Sequence, residues 1–154
     1  EYTVPCFIPA ASRIDCLTVS AELSSEAPGV NEVWPSDISF SINGVLLGKW
    51  TSPGDFGNQR GRLNPEWWHD CLNQYGFLKM LTVNHEGTFI DGRKLSDVNL
   101  DALALDDRRG IRLRFAVDGD SDHVGGMTLF GRSFGNYEQD IEVRMDYSQT
   151  VENN

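Results

Sequence analysis

Cysteine is scarce in this chain and odd in number. Cys6, Cys16 and Cys71 cannot build the disulfide framework that staples small secreted folds. Cys16 sits in a strand-like alternation and reads as a small buried hydrophobe, whereas Cys6 and Cys71 read as reduced thiols, which suits a cytoplasmic setting. Basic residues are also few: 13 Lys and Arg stand against 23 Asp and Glu, for a net charge of -10. A phosphate backbone requires a basic face, so direct contact with nucleic acid is excluded, and the same sign disfavours an anionic membrane surface. No apolar run approaches the ~20 residues that a bilayer-spanning helix needs. There is no Gly-x-Ser-x-Gly elbow and no phosphate-cradling glycine loop. His69, His85 and His123 lie far apart, and no Cys or His spacing predicts a zinc site. No cofactor, metal or catalytic residue is therefore expected. The chain starts at Glu1 with neither methionine nor a signal-like segment, as expected of a processed or excised domain.

What the chain does contain is period two. Leu17, Val19, Ala21 and Leu23 alternate with Thr18, Ser20 and Glu22, and Ile38, Phe40 and Ile42 alternate with Ser39, Ser41 and Asn43. Ile111, Leu113, Phe115 and Val117 repeat the pattern, as do Ile141, Val143, Met145 and Tyr147. Each run places one face on a core and one in water, the signature of antiparallel sheets packed face to face. Turn chemistry agrees. Asn43-Gly44 is a strong two-residue hairpin signal, and Glu86-Gly87 and Asp91-Gly92 flank a short Thr88-Phe89-Ile90 strand. Helix signals are weak. Asn64 and Pro65 predict a cap and first helical position for one or two turns over 65–72, and Asp101–Leu105 predicts another short turn. The expected fold is an all-β, antiparallel β-sandwich of jelly-roll type, forming one unit over 1–154 with a lead-in over 1–12 and a frayed tail over 149–154.

The four tryptophans all fall between Trp34 and Trp68, among Asn, Asp, Gln, Arg and Gly. Flat rings held on loops beside carboxylates, amides and guanidinium groups suit a polar small molecule. A sugar is the natural example, because it offers an apolar face to a ring and hydroxyls to polar groups. The residues expected to face such a ligand are Trp50, Asp55, Arg60, Trp68 and Tyr75, with Trp34, Asn136 and Gln139 as second choices. Rings would stack, Asp55 would accept hydroxyl hydrogen bonds, and Arg60 would supply a planar donor fork. The bland alternative is that the indoles only pack the rim of the sandwich. Trp67 and Trp68 cannot both face the same way, so one is expected inside and the other exposed or in a pocket. The acidic run Asp118–Asp122 spaces three carboxylates as a calcium loop does, but it lacks the glycine and the distal glutamate of that motif and reads as a solvated turn.

Taken together, Ser25–Gly29, Trp34–Phe40, Ile42–Val45, Trp50–Gly57, Arg60-Gly61, Trp67-Trp68, Gln74–Gly76, Phe89–Gly92, His123–Gly126, Leu129–Gly131, Phe134–Tyr137 and Gln139–Ile141 resemble the C-terminal domain of a group of ArsR-type winged-helix transcriptional regulators. The resemblance runs from about Arg13 to Met145. It departs at Ser41 and Leu81, where that family often carries an aromatic ring. It implies a cytoplasmic, non-catalytic effector domain that senses a ligand and normally follows a DNA-binding winged helix. DNA would then be reached only through that other domain, and a homodimer is a possible state. Nothing before Arg13 has the length of a winged helix, so the chain is expected to be the excised sensor half or a homologue without the DNA-binding half. The same aromatics also suit a carbohydrate-binding module of a larger enzyme. An enzyme using His123, Asp140 or Glu26 as acid and base is the third class, although no motif supplies a nucleophile.

Overall fold

A computed structural model describes residues 1–105 and 109–150. Among the described residues ten strands follow in chain order: β1 (Tyr2–Val4), β2 (Ser12–Glu26), β3 (Ser36–Ile42), β4 (Val45–Ser52), β5 (Phe77–Asn84), β6 (Gly87–Ile90), β7 (Arg93–Ser96), β8 (Ile111–Val117), β9 (Gly126–Phe130) and β10 (Glu142–Gln149). One sheet has the order β1-β8-β3-β4. The other has the order β10-β2-β5-β6-β7, with β9 also paired to β2, and every pairing is antiparallel. The protein is an all-β sandwich.

The alternating runs set this arrangement. Leu17, Val19, Ala21 and Leu23 of β2 are buried against Ile38, Phe40 and Ile42 of β3 and Ile111 and Leu113 of β8, with Leu47, Leu81 and Val83 completing the core. Leu81 is thus an interior residue. Asn43 and Gly44 both have positive φ (52° and 83°), the paired left-handed conformation of a tight hairpin turn, and they join β3 to β4. Asp91-Gly92 does the same between β6 and β7.

Several expectations are corrected. No helix forms over 65–72: two successive turns replace it, with the Trp68 amide on the Pro65 carbonyl and the Leu72 amide on that of His69. The Asn64 side chain bonds Gln74 and the Gly135 amide instead of capping. The second predicted turn is present as a 3-10 turn over Leu100–Leu103, capped by Asn99. The lead-in contains a strand, since β1 pairs with β8. At the other end β10 continues to Gln149, and Thr150 bonds the Ala11 carbonyl through both its amide and its hydroxyl. Of the expected tail, 151–154 lie outside the described residues. Cys16 is half-buried on the face opposite Leu17, and it is Cys6 that lies in the core. Among the described residues no helix is long and apolar enough to cross a membrane.

Candidate functional site

Strand parity places Glu22, Ser24 and Glu26 on the outer face of β2, yet Glu22 and Ser24 are buried. The long connections 53–76 and 131–141 fold over that face. Glu22 anchors both of them: its carboxylate accepts the amides of Gly76 (2.9 Å), Asn136 (3.0 Å to each oxygen) and Tyr137 (3.0 Å). Burial raises its pKa, and these three backbone donors oppose the rise. Gly135 has φ of 72°, and a Cβ there would stand 2.5 Å from the Glu22 oxygens, so only glycine allows the loop to close on the carboxylate.

A second polar cluster lines the end of β2, where β5 no longer covers its edge. The Ser25 amide donates to Ser52 Oγ (2.9 Å), the Ser25 carbonyl accepts Asn73 Nδ2 (2.9 Å), and the Ala27 amide donates to Asp55 Oδ2 (3.1 Å). Side chains here take the place of a missing neighbour strand. Asp55 is completely buried, and its second oxygen, Oδ1, has no partner. Burial pushes its pKa up to about 6; the Ala27 amide opposes the rise and the charge of Glu26 adds to it. Asn73 is buried too. Its Nδ2 also reaches Ser24 Oγ (2.6 Å), Thr128 Oγ1 (3.1 Å) and Glu26 Oε2 (3.4 Å), while its Oδ1 has no partner. Thr128 hydrogen-bonds Glu26 as well.

Apart from the Tyr2–Phe115–Phe40 contacts of the first sheet, the rings of this region form two separate groups. In one, Trp50 meets Phe77 edge to face (6.0 Å), Phe77 meets Phe56, and Phe56 stacks on Tyr75 at 5.3 Å. Lys79 Nζ lies 4.3 Å from the Trp50 ring centre and pairs with Asp91, and the Tyr75 hydroxyl donates to Asn58. In the other, Trp67, Trp68 and Phe134 contact one another at 4.9–5.9 Å. Trp68 is the inner member, its indole N–H bonded to the Asn73 carbonyl, and Trp67 is 66% exposed. Trp68 and Phe134, with Thr128 and Leu129–Gly131, line a cavity of about 150 Å³. Leu129–Gly131 also border a larger cavity of about 450 Å³ with Tyr2–Val4, Asp140 and Ile141.

The eight residues singled out in the sequence therefore do not converge on one surface. Trp50 and Tyr75 belong to the first aromatic group, and Trp68 lines the small cavity of the second. Arg60 is committed to its own loop: it donates to the carbonyls of Trp68 (2.9 Å) and Pro65 (2.5 Å) and pairs with Asp70. Asp55 lies beneath the loops, out of contact with solvent. Asn136 accepts the Arg62 amide and gives its own amide to Glu22, and Gln139 bonds Ser20 Oγ. Trp34 is partly exposed and packs against Gly125, 2.9 Å from where a Cβ would stand. Residues not singled out are Asn73, Phe134, Phe77 and Lys79. Phe134 and Phe77 each stand next to a glycine after a turn, but no spacing marks the first as a partner of Trp67-Trp68.

The acid–base candidates lie with different partners. His123 is held by Asp37 through its amide (3.0 Å) and Nδ1 (3.1 Å), Asp140 pairs with Arg132, and Glu26 is bonded by Thr128 and Asn73. Asp37 has its pKa lowered, first by the Thr51 hydroxyl and then by the amide and ring of His123. Within the acidic turn, Asp118 is occupied by Ser39 and Arg114. Among the described residues no group of three His, Cys, Asp or Glu side chains is arranged to hold a metal. No family model, curated protein or solved structure matches this chain.

Proposed function

We propose that this chain is a non-catalytic recognition domain that binds a small polar molecule of carbohydrate type, with Trp67 as the stacking platform and Trp68, Phe134 and Thr128 as its floor. The observation that carries this reading is the exposure of Trp67. An indole two-thirds in solvent forgoes most of the free energy its burial would release, unless something else covers it. It is also held still. Trp68 and Phe134 support it edge to face, and Arg60 ties the 65–70 turns together through two carbonyls and Asp70. A rigid ring loses little entropy on binding. Asp70, His69 and Arg62 are exposed nearby in the chain and supply the polar partners that a hydroxylated ligand requires.

The ordered motifs that resemble the ArsR-type effector domains support the wider context: a cytoplasmic sensor whose occupancy is passed to an attached, dimeric DNA-binding unit. One observation favours a second reading, a carbohydrate-binding module of a larger enzyme. Trp67 stands outside the cavity, and an open ring suits an extended chain better than an enclosed metabolite. Tryptophan fluorescence and calorimetric titration with a panel of mono- and disaccharides test the first reading, and retention on a polysaccharide affinity gel tests the second. A spectral shift with a sugar that Trp67→Ala abolishes supports recognition at this ring. Silence from every sugar and polysaccharide, or undiminished binding by Trp67→Ala, refutes it.

A further inference from the structure

We propose that the outer face of the first sheet, β1-β8-β3-β4, docks a second copy of this chain in a two-fold pair held by charge. The connection that carries Trp67 folds over the other sheet, so such pairing leaves that ring open. Strand register fixes which side chains share the face. Phe40 and Ile42 of β3 and Leu113 of β8 are buried in the core. Their alternates therefore point outward: Asp37, Ser39 and Ser41 of β3, Arg112, Arg114 and Ala116 of β8, Leu46 and Lys49 of β4, and Thr3 of β1.

One half of this face is covered and the other is open. The connection after β8 folds back over residues 37–39. Asp118 accepts from Ser39 Oγ (2.7 Å), Ser121 Oγ accepts from Lys49 Nζ (3.2 Å), and Asp37 holds His123 by its amide and its ring. Ser39 and Asp37 are therefore buried although they point away from the core. At the other end Thr3, Leu46, Arg112 and Arg114 are exposed. The surface is thus stepped, with a ledge formed by residues 118–123 beside a recess formed by the bare sheet.

The two halves carry opposite charge. Arg112 and Arg114 rise from the recess roughly 7 Å apart along β8, at ~3.3 Å of rise per residue, and only Arg114 has an acidic partner, Asp118. Asp120 and Asp122 are exposed on the ledge, where Lys49 offsets one of them. Among the described residues Arg112, Asp120 and Asp122 enter no ion pair, and Glu1, at the rim beyond Thr3, pairs with neither arginine. Turned half a revolution about an axis through its middle, such a face complements itself. Each ledge enters the recess of the other copy, and every Arg–Asp contact occurs twice. A uniformly acidic partner would suit the recess and be repelled by the ledge. The net charge of -10 opposes pairing only weakly, because the Debye length is about 8 Å at physiological ionic strength and contacting charges are closer than that. Four strands ~4.8 Å apart and about seven residues long span roughly 19 by 23 Å, the small end of specific interfaces. The pair is accordingly weak and reversible, with Kd on the order of 10–100 µM.

The test is sedimentation velocity on the chain from about 10 µM to 1 mM, in about 150 mM NaCl. The wild type should pass from monomer to dimer across that range. Arg112→Glu with Arg114→Glu should weaken the dimer at least tenfold. Asp120→Lys with Asp122→Lys should do the same, although it lowers the net charge and with it the overall repulsion. Mixed in equal amounts, the two variants should form a dimer that contains one of each, because both sets of contacts are then complementary again. A wild type that stays monomeric at 1 mM overturns the proposal, as does a variant that dimerises as well as the wild type, or a mixture that stays monomeric. A monomer that takes up a glutamate-rich peptide assigns the recess to an acidic partner and overturns pairing with a second copy. Should the double arginine variant fail to fold, since Arg114 holds Asp118, Arg112→Glu alone replaces it in the mixture. A mixed dimer then supports the interface, and its absence overturns it.

Discussion

Replacing Asp55 with Asn should make the protein more stable at neutral pH and leave it nearly unchanged in acid. Asparagine keeps an oxygen for the Ala27 amide but carries no charge. In the native protein burial raises the Asp55 pKa from 3.8 to about 6. A carboxyl whose folded pKa lies above its unfolded value binds its proton more tightly when folded. Its contribution to stability is thus fully present below the unfolded value and is lost as pH rises through the folded one. Between pH 4 and pH 7 the wild type should lose up to about 3 kcal/mol that the variant keeps, at about 1.4 kcal/mol for each pH unit that separates the folded from the unfolded value. In a chain of this size that corresponds to roughly 6–12 °C in Tm. The assay is a set of thermal melts of both proteins from pH 4 to 7. Glu22, whose pKa is also raised, titrates in both and cancels from the difference. A variant less stable than the wild type at pH 7, or a difference that does not change with pH, would refute the reasoning.

Three further outcomes are expected. Trp67→Ala should weaken sugar binding by about 2 kcal/mol or more, measured by calorimetry, while shifting stability by only about 0.5–1 kcal/mol, because most of the ring is already in water. Trp50→Ala should do the reverse. Its ring rests on Phe77 and beneath Lys79, so chemical denaturation should show a loss of roughly 2–3 kcal/mol with sugar affinity intact. Gly135→Ala, which places a methyl group against the Glu22 carboxylate in a left-handed backbone, should cost on the order of 2 kcal/mol, read as a lower denaturation midpoint with unchanged slope.

The sandwich was legible because each core strand repeats a local rule. Leu17 to Leu23, Ile38 to Ile42 and Ile111 to Leu113 alternate strictly, and Asn43-Gly44 permits little except a tight turn. The same rule failed at Glu22. Alternation assigns that residue to water, and nothing local reveals that segments more than fifty residues away will close over it. Asp55 was hidden for the same reason: in sequence it is a turn residue beside Pro53-Gly54, and its depth depends on how residues 53–76 cross the end of β2. Side-chain identity also says less than geometry about Arg60, whose donors turn back onto its own loop. For Trp67-Trp68 the sequence required one ring in and one out. The inner one is Trp68, whose indole meets the Asn73 carbonyl and the Phe134 ring, partners that lie outside the local sequence.

Strand β2 has β5 along one edge, while its other edge is divided end to end between β10, opposite 12–20, and β9, opposite 22–26. The segment joining those two strands, which includes Phe134, leaves the edge at Phe130 and returns to it at Glu142, and Glu22 clamps it midway. A guest that displaced Phe134 would therefore pull on the junction between β9 and β10, which together form one border of the sheet beside Glu22.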